Sequence, residues 1–219
     1  MSLQSNWNGD EMKEFNIVIA GVGGQGVLTL NNIIAEAALK QGYDVKTAEL
    51  HGLAQRGGSV PCHLRFGDKI FSPLVMEGEA HLIIALEPLE ALKSSYFGSK
   101  ENKTTFLVNN SRIIPLSVPI CKEIYPSHEE ITEHLKDFSG RVIILSASEI
   151  VKKEVKSVIP TNIYMLGYAS YRDLIPLNRE FLLEALEENT PKKYVDMNRK
   201  VFELGGKEIK IIEDTELFK

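Results

Sequence analysis

The chain has 219 residues with 25 basic and 30 acidic side chains, a net charge of −5 that argues against a nucleic-acid or membrane-surface footprint. Proteins and small molecules are the expected partners. Cys62 and Cys121 are too few to hold an iron–sulfur cluster and too far apart in sequence to suggest a redox pair, so both read as small apolar residues.

No apolar run reaches membrane-spanning length and no charged-apolar-small leader is visible, so a cytoplasmic location is expected. Residues 1–11 are polar and patternless and read as an extension. Met12 offers an initiator, and 12–219 reads as a single domain able to bury its own core.

In chain order, Asn16 to Ala20 is β-branched and apolar without helical period, which suits a strand covered on both faces. Gly21, Gly23, Gly24, Gln25 and Gly26 follow as a loop of G-x-G-x-x-G form. In such a loop glycine permits a tight turn, ligand approach to the backbone and close helix packing, and the next helix offers free N–H groups to an anion. By itself the pattern also fits a tight turn with no ligand. Val27, Leu30, Ile33, Ile34, Ala37 and Ala38 recur at helical spacing and Gly42 ends the helix, so a strand over 45–50 completes a β-α-β unit. Glu49 then lies near where a dinucleotide site places a ribose-binding carboxylate, making NAD the first rival ligand.

Residues 51–59, HGLAQRGGS, form a second glycine- and donor-rich loop that a dinucleotide fold does not need. Gln55, Arg56, Gly57, Gly58 and Ser59 supply amide donors and one guanidinium, suited with the first loop to a diphosphate or carboxylate.

A hairpin is predicted next, residues 60–66 and 69–71 flanking Gly67-Asp68. Its first arm places Val60, Cys62, Leu64 and Phe66 on one face and His63 and Arg65 on the other, where solvent or a partner could lie. A strand over 81–86 runs into Glu87-Pro88 and a helix to about residue 97, with Glu87 and Glu90 as dipole partners. Strands over 104–108 and 141–145, a helix over 129–138 and one over 148–158 follow. The two prolines in 113–120 confine that run to an edge or bulge. His128 and His134 fall on a polar helical face.

Residues 162–171 are apolar at both periods. Helices opening near Asn178 and Thr190 close the chain, the last stopping at Gly205, and an edge strand at 209–212 is the final expectation. The fold class is α/β: a layered, largely parallel sheet with one β-hairpin and helices on its faces.

The loops GVGGQG and HGLAQRGGS resemble those of the gamma subunit or domain of the 2-oxoacid:ferredoxin oxidoreductases, closest to the beta subunit of the indolepyruvate enzyme. The resemblance continues through Pro61 to Gly67, Ser72-Pro73-Leu74, Leu86 to Leu92, Asn162 with Met165-Leu166-Gly167, and Asn198 with Phe202 to Gly205. It covers about residues 13 to 205 and selects a helix for 162–171.

The resemblance implies oxidative decarboxylation of a 2-oxoacid to an acyl-coenzyme A and reduced ferredoxin. It places thiamine diphosphate, magnesium and iron–sulfur clusters in a larger partner subunit. This chain lacks the Gly-Asp-Gly and Asn-Asn segments of thiamine enzymes, a nucleophile elbow, a His-Glu-x-x-His pair and a Walker lysine, so no catalytic residue and no metal ligand is expected in it. Coenzyme A at the glycine loops, a regulatory NAD site, and glycines serving only packing against a partner are the alternatives, ordered so by the number of matching blocks. A dinucleotide is further disfavoured by the expectation that no second mononucleotide half is present.

Overall fold

The computed structural model describes residues 13–50, 58–114, 124–207 and 211–216. β1 (Phe15–Val22) is buried at all 8 positions, as its nearly continuous apolar run, broken by Asn16, leads one to expect of a strand covered on both faces. It lies between β3 (Ser59–Gly67), to which it is antiparallel, and β4 (Leu82–Ala85), to which it is parallel. With β2 (Asp44–Glu49), β5 (Thr105–Asn109), β6 (Arg141–Leu145) and β7 (Glu213–Glu216) they form one sheet, in the order β2-β3-β1-β4-β5-β6-β7. β1, β4, β5 and β6 are parallel, and β7 closes the far edge antiparallel to β6.

Side chains alternate across this sheet and divide the core in two. Ile17, Ile19, Cys62, Leu64, Phe66, Leu82, Ile84, Ile143 and Leu145 face α1 (Val27–Lys40), α4 (Ala147–Val155), α5 (Thr161–Tyr171), α6 (Arg179–Glu188) and α7 (Val195–Leu204). Val18, Ile83, Ala85, Phe106, Val108, Val142 and Ile144 face α2 (Pro88–Lys93) and α3 (His128–Lys136). α3 starts on a capping box between Ser127 and Glu130, and α6 on an Asn178 cap. α5 is buried at 10 of its 11 residues and packs closely on α7: a Cβ on Gly167 would fall 2.8 Å from the Phe202 carbonyl carbon. That contact accounts for glycine in the Met165-Leu166-Gly167 segment.

Four expectations are corrected. Residues 69–71 do not pair with β3: the antiparallel partners of β3 are β2 and β1, and no strand lies between Gly67 and Leu82. Because β3 is inserted between β1 and β2, the β1-α1-β2 unit is real but its strands are not neighbours. The edge strand falls at 213–216, held by β6 and the Arg141–Asp214 ion pair; of the expected 209–212, residues 209 and 210 lie outside the described residues and 211–212 are not in the strand. The face bearing His63 and Arg65 is not open: His63 is buried, and Arg65 donates to Glu14, to Asn16 Oδ1 and to the Ser72 and Leu74 carbonyls. Of the 113–120 run, residues 115–120 are not among those described. Cys62 is fully buried, as expected of an apolar residue, and burial pushes its thiol up to about 12.

Candidate functional site

The parallel strands β1, β4 and β5 end side by side, and at β1 and β4 the chain leaves in opposite directions, α1 to one face of the sheet and α2 to the other. Such a switch point opens a crevice at the carboxyl edge. The first glycine loop occupies it. Gly26 is the N-cap of α1 with φ +79°, no side chain among the described residues caps the helix, and its first turn carries no acidic residue. The N–H groups there are therefore without side-chain caps and the helix dipole is uncompensated.

The loop is fixed by its neighbours. Gln25 Oε1 accepts from the Val22 N–H at 2.8 Å and Nε2 donates to the Leu86 carbonyl at 3.0 Å, so this amide serves the loop and the end of β4. Asn109, at the end of β5, donates to the same carbonyl at 3.1 Å and to Ser148 at 3.0 Å. Asn162 Nδ2, from the first turn of α5, donates to the Gly26 carbonyl at 3.0 Å. Gly23 N–H donates to the Gly58 carbonyl at 2.9 Å and brings the end of the second loop against the first. Gly24 is exposed with φ +100° and stands between three clefts.

One cleft, of about 490 Å³, lies between β1, α1 and β3 and is lined by Val22, Gly24, Val27, Leu28, Thr29 and Val60 among others. A second, about 540 Å³, runs toward Ile159, Asn162, Thr190, Tyr194 and Asn198, and a third, about 360 Å³, toward Leu86, Ser111, Ile113 and Thr161. None of the described side chains lining them is charged.

The nearby carboxylates are spent internally. Glu87, buried, caps α2 by accepting from Glu90 N–H at 3.1 Å, and also accepts from Ile113 N–H at 3.2 Å and from the Tyr125 hydroxyl. Burial and the Glu87 carboxylate raise the Tyr125 phenol above its ordinary range. Glu90 accepts from the Ser59 hydroxyl and from Lys93 Nζ at 2.7 Å. Ser59 is thus tied to α2 and positions the end of the second loop.

Of the residues singled out from the sequence, Gly21, Gly23, Gly24, Gln25, Gly26, Gly58 and Ser59 are brought together at this edge. Gln55, Arg56 and Gly57 lie outside the described residues. Gly21 serves packing, since a Cβ on it would meet Val27 Cγ2 at 2.8 Å. Glu49 is displaced: β3 stands between β2 and β1, so the carboxylate sits one strand, about 5 Å, farther out than a ribose-binding residue on a neighbouring strand. The expected lack of a second mononucleotide half is overturned by β4-α2-β5-α3-β6, a right-hand half of that kind. Asn109 and Tyr125 were not foreseen. A polar residue ending an apolar strand was the only local sign of the first, and the second had none. Among the described residues no group of three His, Cys, Asp or Glu could hold a metal ion, and no helix is long and apolar enough to cross a membrane.

The sequence profile of the family described as Pyruvate ferredoxin/flavodoxin oxidoreductase matches residues 16–208. Indolepyruvate oxidoreductase subunit IorB of Archaeoglobus fulgidus is 45% identical over 190 residues, 87% of this chain and 92% of the relative. The subunit of the same name from Pyrococcus horikoshii is 40% identical over 200 residues, 91% of this chain and 98% of that one. Among solved structures, 2-oxoglutarate:ferredoxin oxidoreductase from Magnetococcus marinus with 2-oxoglutarate, coenzyme A and succinyl-CoA bound shares the fold. Its TM-score is 0.65 at 22% identity, covering 89% of this chain and 31% of that one.

Proposed function

Because the chain belongs to the pyruvate ferredoxin/flavodoxin oxidoreductase family, we propose that it is the small subunit of an indolepyruvate-type 2-oxoacid ferredoxin oxidoreductase and that its glycine loops hold coenzyme A beside the larger subunit. Oxidative decarboxylation, with thiamine diphosphate and iron–sulfur clusters, belongs to that partner, and reduced ferredoxin leaves through the complex. The observation that carries the ligand reading is the α1 N-terminus at Gly26, without a side-chain cap among the described residues and opening on clefts whose described linings are uncharged. Coenzyme A joins an anionic diphosphate to a long neutral arm. The backbone N–H groups of Gly24, Gly26 and Val27, with the Arg56 guanidinium the sequence supplies, suit the first part, and a cleft lined by Val27, Leu28, Thr29 and Val60 suits the second. NAD fits less well because Glu49 is displaced by β3.

Activity and binding separate these statements. The purified chain should not reduce ferredoxin or viologen with indolepyruvate and coenzyme A, and should support that reaction when mixed with the larger subunit. Calorimetry on the assembled complex should show coenzyme A binding tighter than NAD. Arg56→Ala should weaken coenzyme A about tenfold to a hundredfold, the loss of a charge-assisted pair. Turnover by this chain alone, or tight NAD binding indifferent to Arg56→Ala, would overturn the reading.

A further inference from the structure

The segment from Asp68 to Ala80 contains neither helix nor strand, yet it is held at many points along its inner side. Ile70 N–H donates to Asp44 at 2.9 Å, Arg65 to the Ser72 and Leu74 carbonyls at 3.1 and 3.3 Å, and Val75 N–H to His63 Nδ1 at 3.0 Å. Gly78 and Ala80 donate to the Tyr96 and Phe97 carbonyls. The buried His63 and the half-buried Arg65 are thereby committed to fixing an irregular strap over the outer face of β3 and β1.

The opposite side of the strap is apolar. Phe71 is 83% exposed, Met76 66%, Leu74 43%, and Tyr96 beside them 55%. The Tyr96 hydroxyl bonds to Glu77, and Lys69 lies 4.9 Å from the Phe71 ring, so charged groups rim a rigid apolar centre. This is the anatomy of an interface core and its rim. Three large apolar side chains exposed to this degree on one anchored segment, with Tyr96 beside them, are uncommon on a monomer surface. None of them lines the carboxyl-edge clefts.

We infer that this strap is the docking surface for an apolar face of the larger oxidoreductase subunit, an inference that rests on the function proposed above. The choice of occupant follows from chain lengths. This chain spans 92% of its Archaeoglobus relative but only 31% of the Magnetococcus chain that shares its fold. In the latter the domain is tethered covalently to the rest of the polypeptide, whereas a chain of the short form needs a surface to do the same work. The strap supplies an anchored apolar one, separate from the ligand clefts.

The test is co-expression of wild type and of Phe71→Glu/Met76→Glu with the larger subunit, followed by size-exclusion chromatography and titration of the dissociation constant. Thermal melting of the double variant alone serves as the folding control. Wild type should co-elute, and its residues 70–79 should gain hydrogen-exchange protection in the complex. The variant should melt as wild type does and bind at least a hundredfold more weakly. Wild-type affinity in the variant, or no protection of 70–79, overturns the docking site and leaves the proposed function standing. Self-association of the isolated chain that the variant abolishes assigns the surface to a second copy and overturns it too. If wild type itself does not bind the larger subunit, both readings fall.

Discussion

Gly26→Ala tests how the glycine loop is held. Gly26 has φ +79°, where a Cβ costs about 1–2 kcal/mol in the left-handed region. The new Cβ would fall 2.5 Å from Asn162 Nδ2 and 3.2 Å from its Cγ, so the Asn162 side chain must swing away and release the Gly26 carbonyl. Losing that bond at a nearly buried site adds about 1 kcal/mol, for a total of roughly 2–3 kcal/mol. Gly24→Ala is the control. It has φ +100° but nothing within 4 Å of its Cβ, so only the backbone cost of about 1–2 kcal/mol applies.

Urea unfolding of the two variants should therefore differ by about 1 kcal/mol, with Gly26→Ala the less stable. Adding Asn162→Ala removes the obstructing amide, so the pair should be non-additive by about 1 kcal/mol. Equal destabilisation by both glycine variants, or strict additivity with Asn162→Ala, would refute the idea that α5 locks this loop.

The buried carboxylate of Glu87 ties three segments, so Glu87→Ala should cost about 3 kcal/mol in unfolding free energy, and Glu87→Gln, which keeps an acceptor, less than half of that. His63 and His81 each accept a backbone N–H at Nδ1, and burial lowers both below the ordinary 6.5, although Glu14 and Glu79 pull His81 the other way. With the folded values below the unfolded one, the unfolded chain binds more protons between them. Stability is thus complete above pH 6.5 and declines as pH falls below it, by at most about 1.4 kcal/mol per pH unit for each histidine. Urea midpoints from pH 7.5 to 5 should show this slope, flattened in His63→Asn and His81→Asn. In a Cys121→Ser background the Cys62 thiol, at about 12, should resist a disulfide reagent until urea unfolds the chain.

Much of this architecture was legible because it is locally encoded. β6 was readable to the residue from a run bounded by Gly140 and Ser146, and α1 from its 3.6-residue period and glycine ends. α5 was not readable from its pattern: buried at 10 of 11 positions, it has no polar face to mark a period, and only the family resemblance selected helix. The hairpin at Gly67-Asp68 failed for another reason. The turn signal there is real, but the pairing of β3 with β1 joins residues 49 positions apart, as in Asn16 and Arg65, and no local window contains it.

The same distinction separates the parts of the site. The glycine loop was visible because a positive φ at Gly26 and the close packing of Gly21 demand glycine itself. Gln25 was visible as a donor but its use was not, since the Leu86 carbonyl that takes its amide is 61 residues away. Glu87 read as an ordinary dipole partner of α2, which it is, while its bond to Tyr125 spans 38 residues. A polar side chain at a strand end announces that it needs partners, because leaving a buried carboxylate or amide unpaired is costly. Which partners satisfy it is decided by the topology, and here the topology turned donors expected to face a ligand into braces that fix the glycine loop before α1.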